Sequence, residues 1–164
     1  MYICVCVKQT PDSSSVYVDP ITGQVDYERF VQVLNQADAC AVEAAVRLKE
    51  QVGGIIKVLT LGPKDAEGAL RAALAIGADS AVRLWNSYAD EWGPFTVAAA
   101  IAGYLQNETF IPDLVLCGDA SSEWSSGIVG PALAQQLDLP QATNVMQLTL
   151  LEEHEPVTDR KSVV

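Results

Sequence analysis

The chain has 164 residues, 49% of them hydrophobic, and ten Lys and Arg against twenty-one Asp and Glu give it a formal net charge of −11. This length suits a single domain over residues 1–164, able to bury roughly 68–70% of the surface its unfolded form exposes, and the composition excludes a disordered chain. The acidic balance excludes nucleic acid and anionic membranes as partners, because phosphates are gripped by Lys and Arg.

Ile3 to Val7 is an uninterrupted apolar run, which predicts a strand buried on both faces of a parallel sheet. Residues 1–8 carry neither a basic segment nor a small-residue cleavage site, and no run approaches the length that spans a bilayer. The expectation is a cytoplasmic protein without membrane insertion. Cys4, Cys6, Cys40 and Cys117 then read as reduced thiols. Cys4 and Cys6 share one strand face but lie too far apart along it for an easy disulfide. With one His in the chain, His154 among Glu152, Glu153 and Glu155, a zinc site is not expected and His154 reads as solvated.

Thr10 to Ser15 is turn-rich, and Asp19-Pro20 with Thr22-Gly23 marks a small hairpin or an irregular loop over 16–25. Asn35 is placed to cap a helix that Gly53-Gly54 stops; Asp38 favours its N-terminal dipole, Glu43 and Arg47 form an i,i+4 pair, and Ala37, Ala41, Ala44, Ala45 and Leu48 form the apolar stripe. Ile55 to Leu61 reads as the next strand. Gly62-Pro63 leads into a helix through Ala66, Leu70, Ala73 and Leu74, ended by Gly77, and Ala81 to Leu84 is a short strand. Gly93-Pro94 opens a helix whose Val97, Ala98, Ile101 and Leu105 face inward. Asp113 to Cys117 is a strand ending at Gly118, Gly127 to Leu137 a helix, and Asn144 to Leu151 the last strand. The order β-α-β-α-β-α-β-α-β predicts a doubly wound α/β fold: a mainly parallel five-stranded sheet with helices on both faces. Ligands of such sheets sit beyond the C-terminal strand ends, which singles out Lys8, Leu61-Gly62 and the stretch from Gly118.

Several of these segments together resemble one family. Cys6 to Asp12 resembles the "CVKQ-x-PD" opening of electron transfer flavoprotein β subunits, and Asn35 to Glu50 their "NPYDE-x-A-x-EEA-x-RLKE". Leu61-Gly62-Pro63, Ala69 to Asp79, Asp113 to Gly118, and Gly130 to Ala134 with Leu139-Pro140 resemble "LGP", "ALR-x-ALA-x-GAD", "DLVLCG" and "GPALA…LP". The resemblance runs in register over about residues 1–145 and implies the fold shared by adenine-nucleotide hydrolase-like and electron transfer flavoprotein domains. It implies an electron carrier without bond chemistry of its own. Such a carrier forms a heterodimer with an α subunit that carries FAD, binds AMP or a second FAD, and accepts electrons from dehydrogenases; a homo-oligomer is the other assembly considered. The family's further C-terminal stretch, which wraps the α subunit, is not in this sequence.

Carried over by position, the implied nucleotide contacts fall on Cys6, Lys8, Asn35, Asp38, Leu61, Gly62, Gly118, Ser121, Ser125, Ser126, Gly127, Val129 and Gly130. A Gly- and Ser-rich loop running into a helix offers backbone N–H groups and a positive helix end to a phosphate. Ser125 or Ser126 either caps that helix or donates to the phosphate, Lys8 meets a phosphate or flavin oxygen or is a surface charge, and Trp124 stacks on a ring or packs on its own domain. Against the family's "G-[RK]-Q-A-I-D-G-D-T-G-Q-V-G-P", Asp119 stands for the basic residue, Ala120 and Ile128 for the two Gln, Glu123 for an Asp and Trp124 for a small residue. Two alternatives therefore stay open: a stand-alone adenine-nucleotide-binding regulatory module, and a ligand-free interaction domain with a degenerate site.

Overall fold

Strand β1 (Tyr2–Cys6) is buried along its whole length, and every other strand of the main sheet is arranged outward from it. The structure, a computed structural model, describes residues 1–15, 17–25, 30–109, 111–122, 125–150 and 162–163. A three-residue antiparallel ribbon, β2 (Gln9–Pro11) with β3 (Gln32–Leu34), follows β1. Helix α1 (Gln36–Val52), β4 (Ile55–Leu61), α2 (Glu67–Ile76), β5 (Ser80–Leu84), α3 (Pro94–Gln106), β6 (Leu114–Cys117), α4 (Val129–Leu137) and β7 (Ser162–Val163) complete the order. β1 pairs in parallel with β4 on one side and β6 on the other; β5 lies beyond β4 and the two-residue β7 beyond β6.

Because successive residues of a strand face opposite ways, β1 feeds two cores. Ile3, Val5 and Val7 pack with Val42, Ala45 and Leu48 of α1 and Leu70 and Ala73 of α2. Cys4 and Cys6 pack with Ala98, Ile101 and Leu105 of α3 and Leu133 of α4. The doubly wound parallel α/β architecture expected from the alternation is thus present, with α1 and α2 on one face and α3 and α4 on the other.

Four details differ from the sequence reading. Residues 144–150 form no strand: Asn144 takes a left-handed φ of 55°, Leu148 and Leu150 pack on the α1/α2 core without a ladder, and the edge beside β6 is taken by β7 instead. Leu151, where that expected strand ended, lies outside the described residues, as do Glu123, Trp124 and His154. The β2–β3 ribbon is not anticipated: Thr10 and Pro11 fall in a stretch that reads as turn and residues 32–34 carry no reading, since three residues a side are too few to show alternation. Between its strands, Val18 and Val25 bridge and Asp19 accepts from Ile21 and Thr22, so this part of 16–25 is a small hairpin. The buried face of α1 comprises Asp38, Val42, Ala45 and Leu48, while Ala37, Ala41 and Ala44 are half-buried. Finally α4 starts at Val129 rather than Gly127, because Gly127 has a φ of 60°, outside helical space.

At the N-terminal end of the sheet, four polar side chains share one cluster that the sequence reading did not foresee. Glu108 pairs with Lys57 Nζ and accepts from Tyr104 and, at 3.0 Å, from the Tyr2 hydroxyl. Lys57 also lies 5.5 Å from the centre of the Tyr2 ring and 5.9 Å from that of Tyr104. Burial raises the Tyr2 hydroxyl to about 12. For Glu108 burial works upward, but the Lys57, Tyr104 and Tyr2 hydrogen bonds outweigh it and hold the carboxyl below its ordinary value.

Candidate functional site

The strand order reverses between β1 and β6, since the chain leaves β1 toward β4 and β5 and later returns to β1's other side. Crevices of α/β sheets open at such a point, beyond the C-terminal strand ends. Here the two ends are stitched together by the first turn of α1. Asp38 Oδ2 accepts from the Lys8 N–H at 2.7 Å, and Oδ1 accepts from the Gly118 N–H at 3.1 Å. The residue is only 5% exposed. Burial pushes its carboxyl up to about 6, against the downward pull of hydrogen bonds from Lys8, Asn35 and Gly118 and of the Lys8 charge.

Asn35 ties the next stretch. Its backbone N–H donates to the Lys8 carbonyl at 2.9 Å, its Nδ2 donates to the Ala120 carbonyl at 2.9 Å, and its Oδ1 accepts from the Ser122 N–H at 3.3 Å. The expected side-chain cap of α1 by Asn35 is absent, because the amide is spent on the 120–122 loop. Gly118 has no space for a side chain: a Cβ there would lie 2.2 Å from Asp38 Oδ1 and 2.9 Å from Ala37 Cβ.

Beside this knot lies an open groove of about 400 Å³, lined by Asn35, Gln36, Ala37 and Cys40 of the α1 end and by Ala120, Ser121, Ser122 and Ser125 of the loop. α1 brings its N-terminus to the groove without a side-chain cap, so its first N–H groups and the positive end of its dipole are available there. Among the described residues the lining contains no Lys or Arg.

Of the residues singled out in the sequence, Asn35, Ser121 and Ser125 line this groove, while Asp38, Gly118 and the backbone of Lys8 form the knot behind it. Ser125 does not cap α4; with φ 47° it folds back, its N–H and hydroxyl both donating to the Ser121 carbonyl, at 2.8 and 3.2 Å. The residue before α4 is Ile128, so Ser126 does not cap it either. Gly127 closes on the Asp119 carbonyl, and Val129 and Gly130 begin α4, Gly130 against Cys117. Leu61 ends β4, and Gly62 is tied toward β5: its N–H donates to the Leu84 carbonyl at 3.0 Å and its carbonyl accepts from Arg83 at 3.2 Å. Cys6 belongs to the α3/α4 core, the face opposite α1. None of Cys6, Leu61, Gly62, Ser126, Gly127, Val129 and Gly130 lines the groove. Gln36, Ala37, Cys40, Ala120 and Ser122 line it as well; of these, Cys40 alone lies outside the stretches 35–38 and 118–130 on which the implied contacts fall, and its signal is its place one turn beyond Gln36 on α1.

Comparison with known proteins now places the chain. The signature of the electron transfer flavoprotein domain matches residues 22–162. The chain is similar to the electron transfer flavoprotein subunit beta of Thermoanaerobacterium thermosaccharolyticum, 40% identical over 92% of this chain and 57% of that protein. It is 39% identical to protein FixA of Azorhizobium caulinodans, over 90% of this chain and 54% of FixA. It is 37% identical to subunit CarD of the caffeyl-CoA reductase-Etf complex of Acetobacterium woodii, over 100% of this chain and 60% of CarD. The chain thus spans a little over half the length of the curated relatives it matches.

Proposed function

This chain belongs to the electron transfer flavoprotein family, on the β-subunit side, and from that premise we propose that it is an electron-carrying subunit that pairs with an FAD-bearing α-type partner and takes the adenylate of AMP, or of a second FAD, in the groove beside α1. Dehydrogenases are the electron donors in this reading, and the protein carries out no bond chemistry of its own. The observation that carries it is the knot at the strand-order reversal: Asp38 and Asn35 hold the ends of β1 and β6 and the 120–122 loop so that a groove opens at the uncapped start of α1.

The donor set suits a nucleotide phosphate. The first amides of α1, the Gln36 side chain and the hydroxyls of Ser121 and Ser122 are neutral donors around one groove, and helix N-termini bind anions through such N–H groups and the dipole. Its volume of about 400 Å³ falls within the range of small-molecule sites. When bound, a flavin would supply the redox chemistry; these residues would only hold and orient its adenylate end.

One observation favours a second reading, a ligand-free interaction domain. Among the described residues the groove lining has no cationic side chain, and the N–H groups of Lys8 and Gly118 are already spent on Asp38. Co-expression with an α-type subunit, followed by gentle purification, flavin absorbance and identification of acid-released nucleotide, separates the two. A heterodimer with close to one adenylate per β-type chain is the expected result. A heterodimer whose β-type chain stays empty when AMP and FAD are added supports the second reading. A colourless chain that releases AMP but binds no α-type partner supports a stand-alone regulatory module.

A further inference from the structure

Three of the four cysteines gather on the α3/α4 face of the sheet. Cys4 and Cys6 point there from β1, and Cys117, at the end of β6, packs against the same cluster. The parallel ladder sets Cys6 directly opposite Cys117. We propose that Cys6 and Cys117 are a reversible dithiol–disulfide pair, a redox-modification site that links the two central strands one residue before Gly118. This inference does not depend on the proposed function.

The geometry selects this pair over the others. Neighbouring strands run about 4.8 Å apart, so the Cα atoms of two register partners fall inside the range of about 4.4–6.8 Å that disulfides span. Cys4 lies roughly 6.6 Å along the strand from Cys6, and its own register partner is Val115, so it is diagonal to Cys117. Cys40 is exposed on α1, across the sheet. Register partners hold their Cβ atoms about 1 Å wider than the roughly 3.8 Å mean of a disulfide, so closing the bond strains the strands and leaves it easily reduced.

The environments of the two thiols give them different roles. Hydrogen bonding of the Cys6 S–H to the Cys117 sulfur first, then to Cys4, together with burial, holds the Cys6 thiol well above its ordinary range, so it stays protonated. Cys117 is half-buried at the strand end and is the sulfur a small oxidant reaches first. With hydrogen peroxide as oxidant, the Cys117 sulfur attacks one peroxide oxygen, giving a sulfenic acid and one water. The Cys6 sulfur then displaces the sulfenic hydroxyl, which leaves with the Cys6 proton as a second water. Two thiols have lost two electrons and peroxide has gained them. Because Asp38 holds the Gly118 N–H at 3.1 Å, drawing Cys117 toward Cys6 pulls on the knot behind the groove.

The test uses the full chain carrying Cys40→Ser, which removes the exposed thiol and leaves three, Cys4, Cys6 and Cys117. Folded protein is treated with hydrogen peroxide, quenched, unfolded and alkylated, and the free thiols are counted by intact mass and assigned by peptide mapping. The expected result is a fall to one alkylated thiol, Cys4, with a Cys6–Cys117 cross-linked peptide, reversed by reduced glutathione. Adding Cys117→Ser should leave both remaining thiols free. If that variant does not fold, Cys6→Ala answers the same question, since Ala suits the small-residue core there. Three free thiols after treatment, a bond that includes Cys4, or irreversible sulfinic acid on Cys117 without a cross-link would each overturn the proposal.

Discussion

Asp38 accepts two backbone N–H groups at 5% exposure, and this makes it a stability sensor as well as a clamp. Its carboxyl binds a proton more tightly in the folded state, at about 6, than at its ordinary 3.8. Between those pH values the folded protein therefore holds more protons than the unfolded one, so stability falls as pH rises through the window. The full effect is on the order of 3 kcal/mol. Urea midpoints of wild type and Asp38→Asn, compared from pH 3.5 to 7, should show this decline in the wild type and a flatter profile in the variant; parallel profiles would refute it. Gly118 gives a second prediction. Gly118→Ala sets a Cβ 2.9 Å from the Asp38 backbone N and 2.2 Å from Oδ1, a collision that no side-chain rotation relieves completely. Its Tm should drop by an amount equivalent to about 3 kcal/mol or more. Gly130→Ala is the control: its Cβ would meet Cys117 Cβ at an ordinary 3.5 Å within α4, and the change should be neutral or stabilise by up to about 1 kcal/mol.

At the scale of elements, the start of α1 both builds the core and shapes the site. Asp38 heads the buried stripe that continues through Val42, Ala45 and Leu48, four, seven and ten residues on. That spacing was present in the sequence, and a carboxylate opening an apolar stripe was the one available sign that Asp38 is buried rather than a dipole-facing surface group. The partners that make its burial tolerable, the N–H groups of Lys8 and Gly118, are 30 and 80 positions away and leave no local mark. The Tyr2–Lys57–Tyr104–Glu108 cluster was hidden for the same reason, since it joins β1, β4 and the end of α3. The side chains of Lys57 and Glu108 are 20% and 15% exposed. Removing one partner, by Glu108→Ala or Lys57→Met, should cost roughly 1–3 kcal/mol in urea unfolding, from the partly desolvated charge left behind. A double-mutant cycle should show the two effects to be less than additive; full additivity would mean that the pair is uncoupled.

For the molecule as a whole, the fold class was legible because each segment carried its own period: continuous apolar runs for the central strands, helical stripes between them, and Gly or Pro at the junctions. In the described helices none is long and apolar enough to cross a membrane. The last strand was misplaced because residues 144–150 have apolar residues at strand spacing, yet a parallel edge strand is chosen by which segment reaches β6, not by local pattern. The same division holds for the site. The sequence by itself determined a doubly wound α/β domain, the strand ends at which such sheets open their crevices, and membership of the flavoprotein family, because these depend on periodicity and on motifs whose parts lie within a few residues of each other. Only the tertiary structure decided which of the strand-end residues meet. It set Asn35, Ser121 and Ser125 in one groove, turned Cys6 away onto the opposite face beside Cys117, and spent the Lys8 and Gly118 amides on Asp38. Those outcomes follow from strand order and from which face of a strand each residue occupies, and both are fixed by packing between segments far apart in the chain.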